Sequence, residues 1–276
     1  MTEPLSILSG AFGRAALLDM DTSLVAHAHP HCHLIFKASG PDQEFVVDQQ
    51  AFPLRADTAV AVNTWQRHEY LHRASPGRTV FLALYIEPDW LAQADGSFAD
   101  CARPGFFAMP AITVTPEISR MRAKIVQHLH GDIHADAGNL ENMILALTLE
   151  VVHGFSDWRS KEARRSPRDF RVWKALRMMQ DEPRDRVDLD DIAARAGLSR
   201  PHFNHLFKSC IGISPRLYAN ALRVEAAVCK LSEHKSDIGT ISHNLGFSAQ
   251  GNFTRFFQQH TGASPNQFRR VLAELS

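Results

Sequence analysis

Five histidines near the start of the chain are the residues best suited to bind a ligand. Four of them alternate, as His27, His29, His31 and His33, so their rings lie on one face of an extended strand. His68 follows further along and is expected to point into the same interior. Neutral imidazoles in this arrangement either bind a transition metal ion or form hydrogen bonds with an organic ligand. The sequence therefore predicts a binding site in its N-terminal part.

A second set of polar side chains comes from an internal repeat near the C-terminus. The pattern of residues 197–207 returns over residues 246–257, and from Phe203 and Phe253 onward the copies match at a separation of 50 residues. The aromatic residues of each copy recur at helical spacing, which predicts one buried face and leaves the opposite face for a partner. The residues on that opposite face are Arg200, Pro201, Asn204, His205 and Lys208 in the first copy and Gln250, Gly251, Asn252, Arg255 and Gln258 in the second.

Each copy has the pattern of a helix-turn-helix, whose second helix enters the major groove of DNA. Gly197 and Gly246 stand where a left-handed residue ends a short helix. Ser199 and Ser248 are expected to cap the next helix through their hydroxyl groups. The helix predicted over residues 215–231 joins the two units. At 1.5 Å per residue it spans about 25 Å, suited to holding two recognition helices near one DNA turn apart, roughly 34 Å.

The charge distribution also favours a nucleic-acid partner for the C-terminal part. The 30 basic and 30 acidic residues balance overall, but residues 1–155 carry 10 basic and 17 acidic side chains, whereas residues 156–276 carry 20 and 13. The C-terminal part therefore has a net charge of +7 and is suited to bind double-stranded DNA.

Several classes of protein do not fit this sequence. Its apolar runs are far shorter than the roughly 18 residues of a membrane span, and its N-terminus lacks the pattern of a secretory signal, so we expect a cytoplasmic protein without a membrane partner. The sequence shows neither a nucleophile–base spacing nor a phosphate-binding loop, and we do not expect an enzyme. The four cysteines form no C-x-x-C pair, which disfavours a disulfide framework or a cysteine zinc site.

Three kinds of element must position these side chains. Turn-type clusters, including Phe52-Pro53, separate short strands predicted over residues 14–20, 23–36, 44–47, 58–62, 68–72 and 78–86. Two apolar stripes of helical period follow and predict an antiparallel helical hairpin over residues 113–156, a candidate for homodimerisation. Residues 157–168 are polar and charged, which is typical of a linker. The remaining chain is predicted to be helical.

The C-terminal part, from about Asp169 to Arg270, resembles the AraC/XylS family of bacterial transcription regulators. The motifs that carry this resemblance are Ala196-Gly197-Leu-Ser199, Gly212-Ile-Ser-Pro215, Leu222-Arg223, Ile238-x-x-Ile241, Leu245-Gly246-Phe247 and Phe256-Phe257-x-x-x-x-Gly262-x-Ser264-Pro265-x-x-Phe268-Arg269.

The resemblance implies which residues read DNA. The family's base-reading positions correspond to Pro201, Asn204 and His205 in the first unit and to Gln250, Gly251, Asn252 and Arg255 in the second. Amides pair with adenine edges and guanidinium groups with guanine, so the second recognition helix is the better reader. His205 stands where many members have arginine, and Pro201 offers no hydrogen bond. We expect Arg200 and Lys208 mainly to contact phosphates.

Residues 23–86 resemble the cupin-like sensor barrel found in many members of this family. Metal-binding cupins add a glutamate shortly after their H-x-H pair, but Ile35 and Lys37 occupy those places, and Pro30 interrupts the alternation. We therefore expect an organic small-molecule effector and neither a metal nor another cofactor. A metal-binding barrel acting as a sensor or an enzyme is the alternative, and a barrel that serves only dimerisation is a third possibility. The predicted effector contacts are His29, His31, His33 and His68.

The sequence thus predicts a multi-domain α+β protein that regulates transcription in response to an effector. Residues 1–112 form a cupin-like barrel, 113–156 a dimerising helical hairpin, 157–168 a linker and 169–276 an all-α domain with tandem helix-turn-helix units. The family resemblance favours a homodimeric activator.

Overall fold

The computed structural model describes residues 2–73, 77–94, 96–102, 105–131, 137–156, 169–181 and 188–274. An N-terminal region of strands and a helical hairpin precede a helical C-terminal region, which confirms the predicted multi-domain α+β class. The predicted linker over residues 157–168 lies outside the described residues.

The N-terminal region is built from short strands whose apolar residues face two internal layers. The strands are β1 Glu3–Gly10, β2 Gly13–Met20, β3 Leu24–His27, β4 Cys32–Ser39, β5 Gln43–Val47, β6 Gln50–Leu54, β7 Thr58–Val62, β8 His68–Leu71, β9 Thr79–Ile86, β10 Ala111–Thr113 and β11 Leu272–Glu274. They form a seven-stranded sheet in the order β10-β7-β4-β9-β2-β1-β11 and a four-stranded sheet in the order β3-β8-β5-β6. Within the described residues the two sheets do not close into a continuous barrel, so the cupin-like region is an open one.

The strand predicted over residues 23–36 is wrong as a single element, because it is divided into β3 and β4. Residues 28–31 between them leave the sheet at Pro30, which has no backbone N–H to donate to a neighbouring strand. The carbonyl of His29 instead accepts a hydrogen bond from the backbone amide of Trp65 at 2.9 Å. The histidines therefore come from two strands and the turn that connects them.

The turn predicted at Phe52-Pro53 is also wrong, because both residues lie within β6. Pro53 is paired with Glu44 of β5, and β6 is an edge strand of the smaller sheet. An edge strand tolerates proline because one side of it makes no ladder hydrogen bonds. Strands β1, β10 and β11 were not predicted either.

From residue 116 onward the helices lie in the regions predicted to be helical, whereas the helix at Pro88–Ala94 and the 3₁₀ helix at Gly96–Ala102 were not predicted. They are α1 Pro88–Ala94, α2 Pro116–His130, α3 Ala137–Phe155, α4 Phe170–Asp181, α5 Leu189–Arg195, α6 Arg200–Ile211, α7 Pro215–Ser232, α8 Ile238–Asn244, α9 Gln250–Thr261 and α10 Pro265–Val271, with a short 3₁₀ helix at Gly96–Ala102. Helices α2 and α3 form the predicted hairpin. Ile118 and Ile125 of α2 and Leu147 of α3 are buried in one core with Leu8 and Phe36 of the large sheet. This packing accounts for much of the apolar surface of the hairpin, and dimerisation remains a prediction.

The two helix-turn-helix units are confirmed as helical pairs, α5–α6 and α8–α9. Gly197 and Gly246 adopt positive φ angles of 75° at the turn of each unit, as a left-handed residue requires. The predicted serine caps are wrong. Ser199 is the N-cap residue of α6, but its hydroxyl makes no cap hydrogen bond to the described residues, and the N-cap of α9 is Ala249, one residue beyond Ser248. The left-handed glycine, rather than a hydroxyl cap, is what the two turns share.

The C-terminal region packs against the N-terminal sheets. Buried residues of α7, α8 and α9, including Leu231, Ile241 and Phe253, lie in one hydrophobic cluster with Ile7 and Leu18 of the large sheet. Strand β11 continues this contact by pairing parallel to β1 at the sheet edge. The ring of Trp65 also lies 4.5 Å from that of Tyr218 on α7. The C-terminal helical region and the N-terminal β-rich region are therefore in direct contact.

Gly212 provides a test of the turn geometry at the end of α6. It has a φ of 90°, and a Cβ atom there would meet no atom of the described residues within 4 Å. Gly212→Ala should lower the free energy of unfolding by about 1–2 kcal/mol through backbone strain alone. Gly154 in α3 is exposed and equally uncrowded but lacks a positive φ, so Gly154→Ala should be neutral or stabilise by up to about 1 kcal/mol. Urea unfolding of both variants checks this, and equal effects would contradict it.

Candidate DNA-binding surface and histidine cluster

Helix α6 presents a polar face because its apolar face is fixed in the core. Phe203 and Phe207 are fully buried, and Cys210 one turn later is also buried. The rings of Phe203 and Phe207 meet edge to face at 5.5 Å, which sets the rotation of the helix about its axis. The predicted contact residues Pro201, Asn204, His205 and Lys208 are consequently exposed.

Helix α9 repeats this arrangement in the second unit. Phe253 and Phe257 are fully buried, and their ring centroids lie 5.8 Å apart. The side-chain amide of Asn252 donates a hydrogen bond to the Ser248 hydroxyl at 3.1 Å, which orients the amide at the start of the helix. The predicted contact residues Gln250, Gly251, Asn252 and Arg255 are all exposed.

Arg200 differs from the other predicted contacts because it is only half-exposed. Its guanidinium lies 3.6 Å from a carboxylate oxygen of Asp190 at the start of α5. An ion pair within the protein reduces the charge available to a phosphate, so Arg200 is better placed to orient other groups than to act alone.

Two further arginines lie beside Arg200 and were missed from the sequence. Arg216 and Arg223 of α7 line a concave surface between α5, α6 and α7 together with Arg200, Asn220 and two acidic residues, Asp188 and Asp190. The guanidinium of Arg223 lies 5.7 Å from the ring centre of Phe247, in the turn of the second unit. Arg216 and Arg223 are seven residues apart, which places them two turns apart on one face of a helix. This spacing is the sequence signal from which they could have been predicted.

The structure brings all four predicted effector residues together and adds His27. His27 lies on β3, His29 and His31 in the following turn, His33 on β4 and His68 on β8, and all five are buried. The Nε2 atom of His29 lies 3.1 Å from Nδ1 of His33, which is 3.4 Å from Nε2 of His68. The ring centroids of His27 and His68 are 4.2 Å apart. We refer to these five residues as the histidine cluster.

Backbone carbonyls determine the tautomers of two rings in the histidine cluster. Nδ1 of His27 lies 2.8 Å from the carbonyl of Val25, and Nδ1 of His68 lies 2.9 Å from that of Gln66. A carbonyl oxygen only accepts, so each Nδ1 carries the proton and each Nε2 has a free lone pair. Nδ1 of His29 is buried and has no hydrogen-bond partner among the described residues.

Four rings of the histidine cluster, those of His27, His29, His33 and His68, are uncharged near neutral pH. Burial lowers the pKa of His27, His29 and His33 well below the usual value for histidine, with a further decrease from the neighbouring rings. Burial also lowers the pKa of His68, to about 4. Neutral imidazoles retain the lone pair that a ligand or a metal ion needs.

Tyr85 of β9 lies over the histidine cluster and connects it to charged groups. Its ring stacks on His33 at 4.1 Å, and the Arg14 guanidinium lies 4.2 Å above its centre. Burial raises the pKa of the Tyr85 hydroxyl. Nε2 of His31 donates to the Glu87 carboxylate at 2.9 Å, and this hydrogen bond lowers the pKa of Glu87.

Helix α7 contacts the histidine cluster and Arg14 through Glu225. The Glu225 carboxylate lies 3.7 Å from the Arg14 guanidinium and 3.9 Å from Nδ1 of His31. A small pocket between the two regions is lined by Arg14, His27, Ala28, His29, Tyr85, Ala221, Val224, Glu225, His260 and Thr261. Glu225 was missed because no sequence pattern relates a residue of the connecting helix to a histidine so much earlier in the chain.

The C-terminal region matches a known family of domains. Residues 192–271 match the family model described as a helix-turn-helix domain. The chain is 30% identical over 172 residues to the arabinose operon regulatory proteins of Salmonella typhimurium and Escherichia coli. The alignments cover 61% of this chain and 58% and 56% of the two relatives, so the chain spans less than three fifths of their length.

The whole fold also resembles that of a solved structure. ToxT from Vibrio cholerae O395 superposes with a TM-score of 0.58 over 99% of this chain and 98% of that chain, at 14% identity. Another structure of ToxT, at 12% identity and a TM-score of 0.56, is described as bound to an unsaturated fatty acid. This likeness concerns the arrangement of the two regions. Among the helices of the described residues, none is sufficiently long and apolar to cross a membrane.

Proposed function

We propose that the chain is a sequence-specific DNA-binding regulator of transcription, because residues 192–271 match a helix-turn-helix domain model and the chain is 30% identical over 172 residues to two arabinose operon regulatory proteins. The observation that carries this proposal is the pair of recognition helices α6 and α9, which bury the same aromatic face and expose the predicted DNA contacts. The relatives named above are regulators, and we infer regulation rather than catalysis for this chain.

The recognition helices are proposed to read unequal amounts of sequence. In α9, Gln250, Asn252 and Arg255 supply amide and guanidinium groups suited to adenine and guanine edges. In α6, Asn204 and His205 are the candidates for base contacts. The phosphate contacts of the first unit are assigned to Lys208, and Arg216 and Arg223 are further candidates on the concave surface that they share with Asp188 and Asp190.

The histidine cluster is proposed to bind the effector. Its buried rings, some of whose nitrogens have no hydrogen-bond partner among the described residues, lie next to α7, which connects the two recognition helices. A ligand that alters the ion pair between Glu225 and Arg14 alters the contact between α7 and the N-terminal region. This contact couples the histidine cluster to the two recognition helices. In a homodimer formed through α2 and α3, this coupling would alter the presentation of paired DNA-binding regions and activate transcription.

Selection from random DNA duplexes with the purified full chain tests the DNA-binding proposal. The expected result is an enriched motif with two contacted segments about one helical turn apart, roughly 10 base pairs. The segment contacted by α9 should have the stronger base preference. A matched control is the Asn252→Ala/Arg255→Ala double variant, which should retain its fold and lose the preference in one segment only. Recovery of unselected sequences by the folded wild-type chain would contradict the proposal.

A further inference from the structure

Three buried histidines lie close enough together to share one ion. The ligand atoms of His27, His29 and His68 all lie within 4.8 Å of one another. Imidazole nitrogens that bind one tetrahedral metal ion at 2.0–2.1 Å are separated by roughly 3.3 Å, so small ring rotations bring these atoms into position. A fourth histidine nitrogen lies beside these three rings. Nδ1 of His33 is 3.1 Å from Nε2 of His29 and 3.4 Å from Nε2 of His68.

Two of the three rings, those of His27 and His68, make a hydrogen bond that is common among metal-binding histidines. His27 and His68 each donate Nδ1–H to a backbone carbonyl, so their Nε2 lone pairs are directed away from it. A histidine that binds a metal ion through one ring nitrogen commonly donates the other N–H to a carbonyl. That hydrogen bond sets the tautomer and the orientation of the ring.

Hydrogen bonding among the rings alone leaves the histidine cluster unsatisfied. Nδ1 of His33 carries at most one proton, and it faces nitrogens of both His29 and His68. Nδ1 of His29 and Nε2 of His33 are buried, and neither has a hydrogen-bond partner in the part of the chain that the structure describes. Buried polar atoms are normally paired, and a cation among the rings would accept the surplus lone pairs.

We propose that His27, His29 and His68 bind one divalent transition metal ion, with His33 beside it as the nearest further nitrogen. A set of imidazoles without carboxylates suits Zn²⁺, Ni²⁺ or Cu²⁺ and disfavours Mg²⁺ and Ca²⁺. The ion takes the role of the effector, and this part of the proposal rests on the proposed regulatory function. The inference replaces the organic effector expected from the sequence.

The position of the site explains how an ion would affect DNA binding. His27 and His29 line the pocket between the sensor region and α7, opposite Glu225, with His260 of α9 on the same pocket wall. A bound dication is the largest local charge, and it attracts the Glu225 carboxylate toward the sensor region while repelling Arg14. Occupancy therefore changes the contact that holds the connecting helix.

Metal binding is measured first and without DNA. The full chain, stripped with a chelator and desalted, is titrated with Zn²⁺ against a chromophoric chelator, and the bound metal is counted by mass spectrometry. Co²⁺ is added separately, because tetrahedral nitrogen ligation gives a visible absorption spectrum. We expect one ion per chain, and loss of at least about 100-fold in affinity in His68→Ala and His29→Ala.

Two controls separate ligation from folding. His130→Ala alters an exposed histidine at the end of α2 and should bind Zn²⁺ as the wild type does. His27→Asn keeps a polar side chain of similar size and should lose the Co²⁺ spectrum while its circular dichroism is unchanged. A folded wild-type chain that binds no ion, or a His27→Asn variant that binds normally, would overturn the metal site.

The link to regulation is tested with DNA selected by the full chain. Binding of that DNA should differ at least about tenfold between stripped and Zn²⁺-loaded wild type, and this difference should vanish in His27→Asn. Stoichiometric metal with unchanged DNA affinity would overturn the effector role but retain the site. Absence of specific DNA binding in both states would overturn the regulatory function, independently of the metal measurement.

Discussion

Replacing Phe253 by alanine should destabilise the second helix-turn-helix unit by about 3–5 kcal/mol, the usual cost of truncating a buried phenylalanine. Phe253 is fully buried, with its ring centre 5.4 Å from Phe247 and 5.8 Å from Phe257. It also belongs to the hydrophobic cluster shared with the sensor region. The variant should therefore lose stability in both regions, as measured by urea unfolding followed by circular dichroism.

Gln259→Ala is the matched control for Phe253→Ala. Gln259 lies on the same helix and is exposed, so its replacement should change the free energy of unfolding by less than about 0.5 kcal/mol. Phe203→Ala, at the repeated position of the first unit, should resemble Phe253→Ala because Phe203 is equally buried. If Phe253→Ala and Gln259→Ala had similar free energies of unfolding, packing of Phe253 in this core would not stabilise α9.

Arg255→Ala should weaken binding to the selected DNA by about 1–3 kcal/mol and relax the preference at one base pair. Arg255 is exposed on α9, and a guanidinium recognises guanine through two parallel hydrogen bonds. Fluorescence anisotropy with the selected duplex and with duplexes altered at single base pairs measures both effects. The wild-type chain should discriminate at a position where the variant does not.

Lys208→Ala provides the contrasting case. A phosphate contact carries no sequence information, so this variant should weaken binding to all duplexes about equally and reduce the slope of log affinity against log salt by about 1. Uniform weakening by Arg255→Ala would instead make Arg255 a phosphate contact. The comparison therefore decides which of the two roles the arginine has.

The helix-turn-helix units were predictable because their signals are local. Apolar residues at helical spacing mark the buried faces of α6 and α9, and glycine marks each turn where φ is positive. The serine caps failed because a hydroxyl near a helix start is a weaker signal than the glycine before it. The exposure of the predicted DNA contacts follows directly from the rotation that the buried phenylalanines impose.

The histidine cluster was only partly predictable. The alternation from His27 to His33 indicated a shared face, but it also implied one continuous strand, which Pro30 divides. The predicted effector set omitted His27, although the alternation placed it on the same face as His29; pairing between β3 and β8 puts it directly opposite His68. The hydrogen bonds of His27 to the Val25 carbonyl and of His68 to the Gln66 carbonyl are local, because each joins residues two apart in the chain.

By itself, the sequence determined the class of each region, the repeated DNA-binding units and the presence of a histidine-rich site, since these depend on periodicity and on residue types near one another in the chain. Only the tertiary structure decided which histidine nitrogens converge and that Glu225 and Arg14 join the site to α7. It also placed Leu272 beside Ile7 at the edge of the large sheet. These contacts join residues far apart in the chain, and they form through packing between regions, which no local pattern encodes.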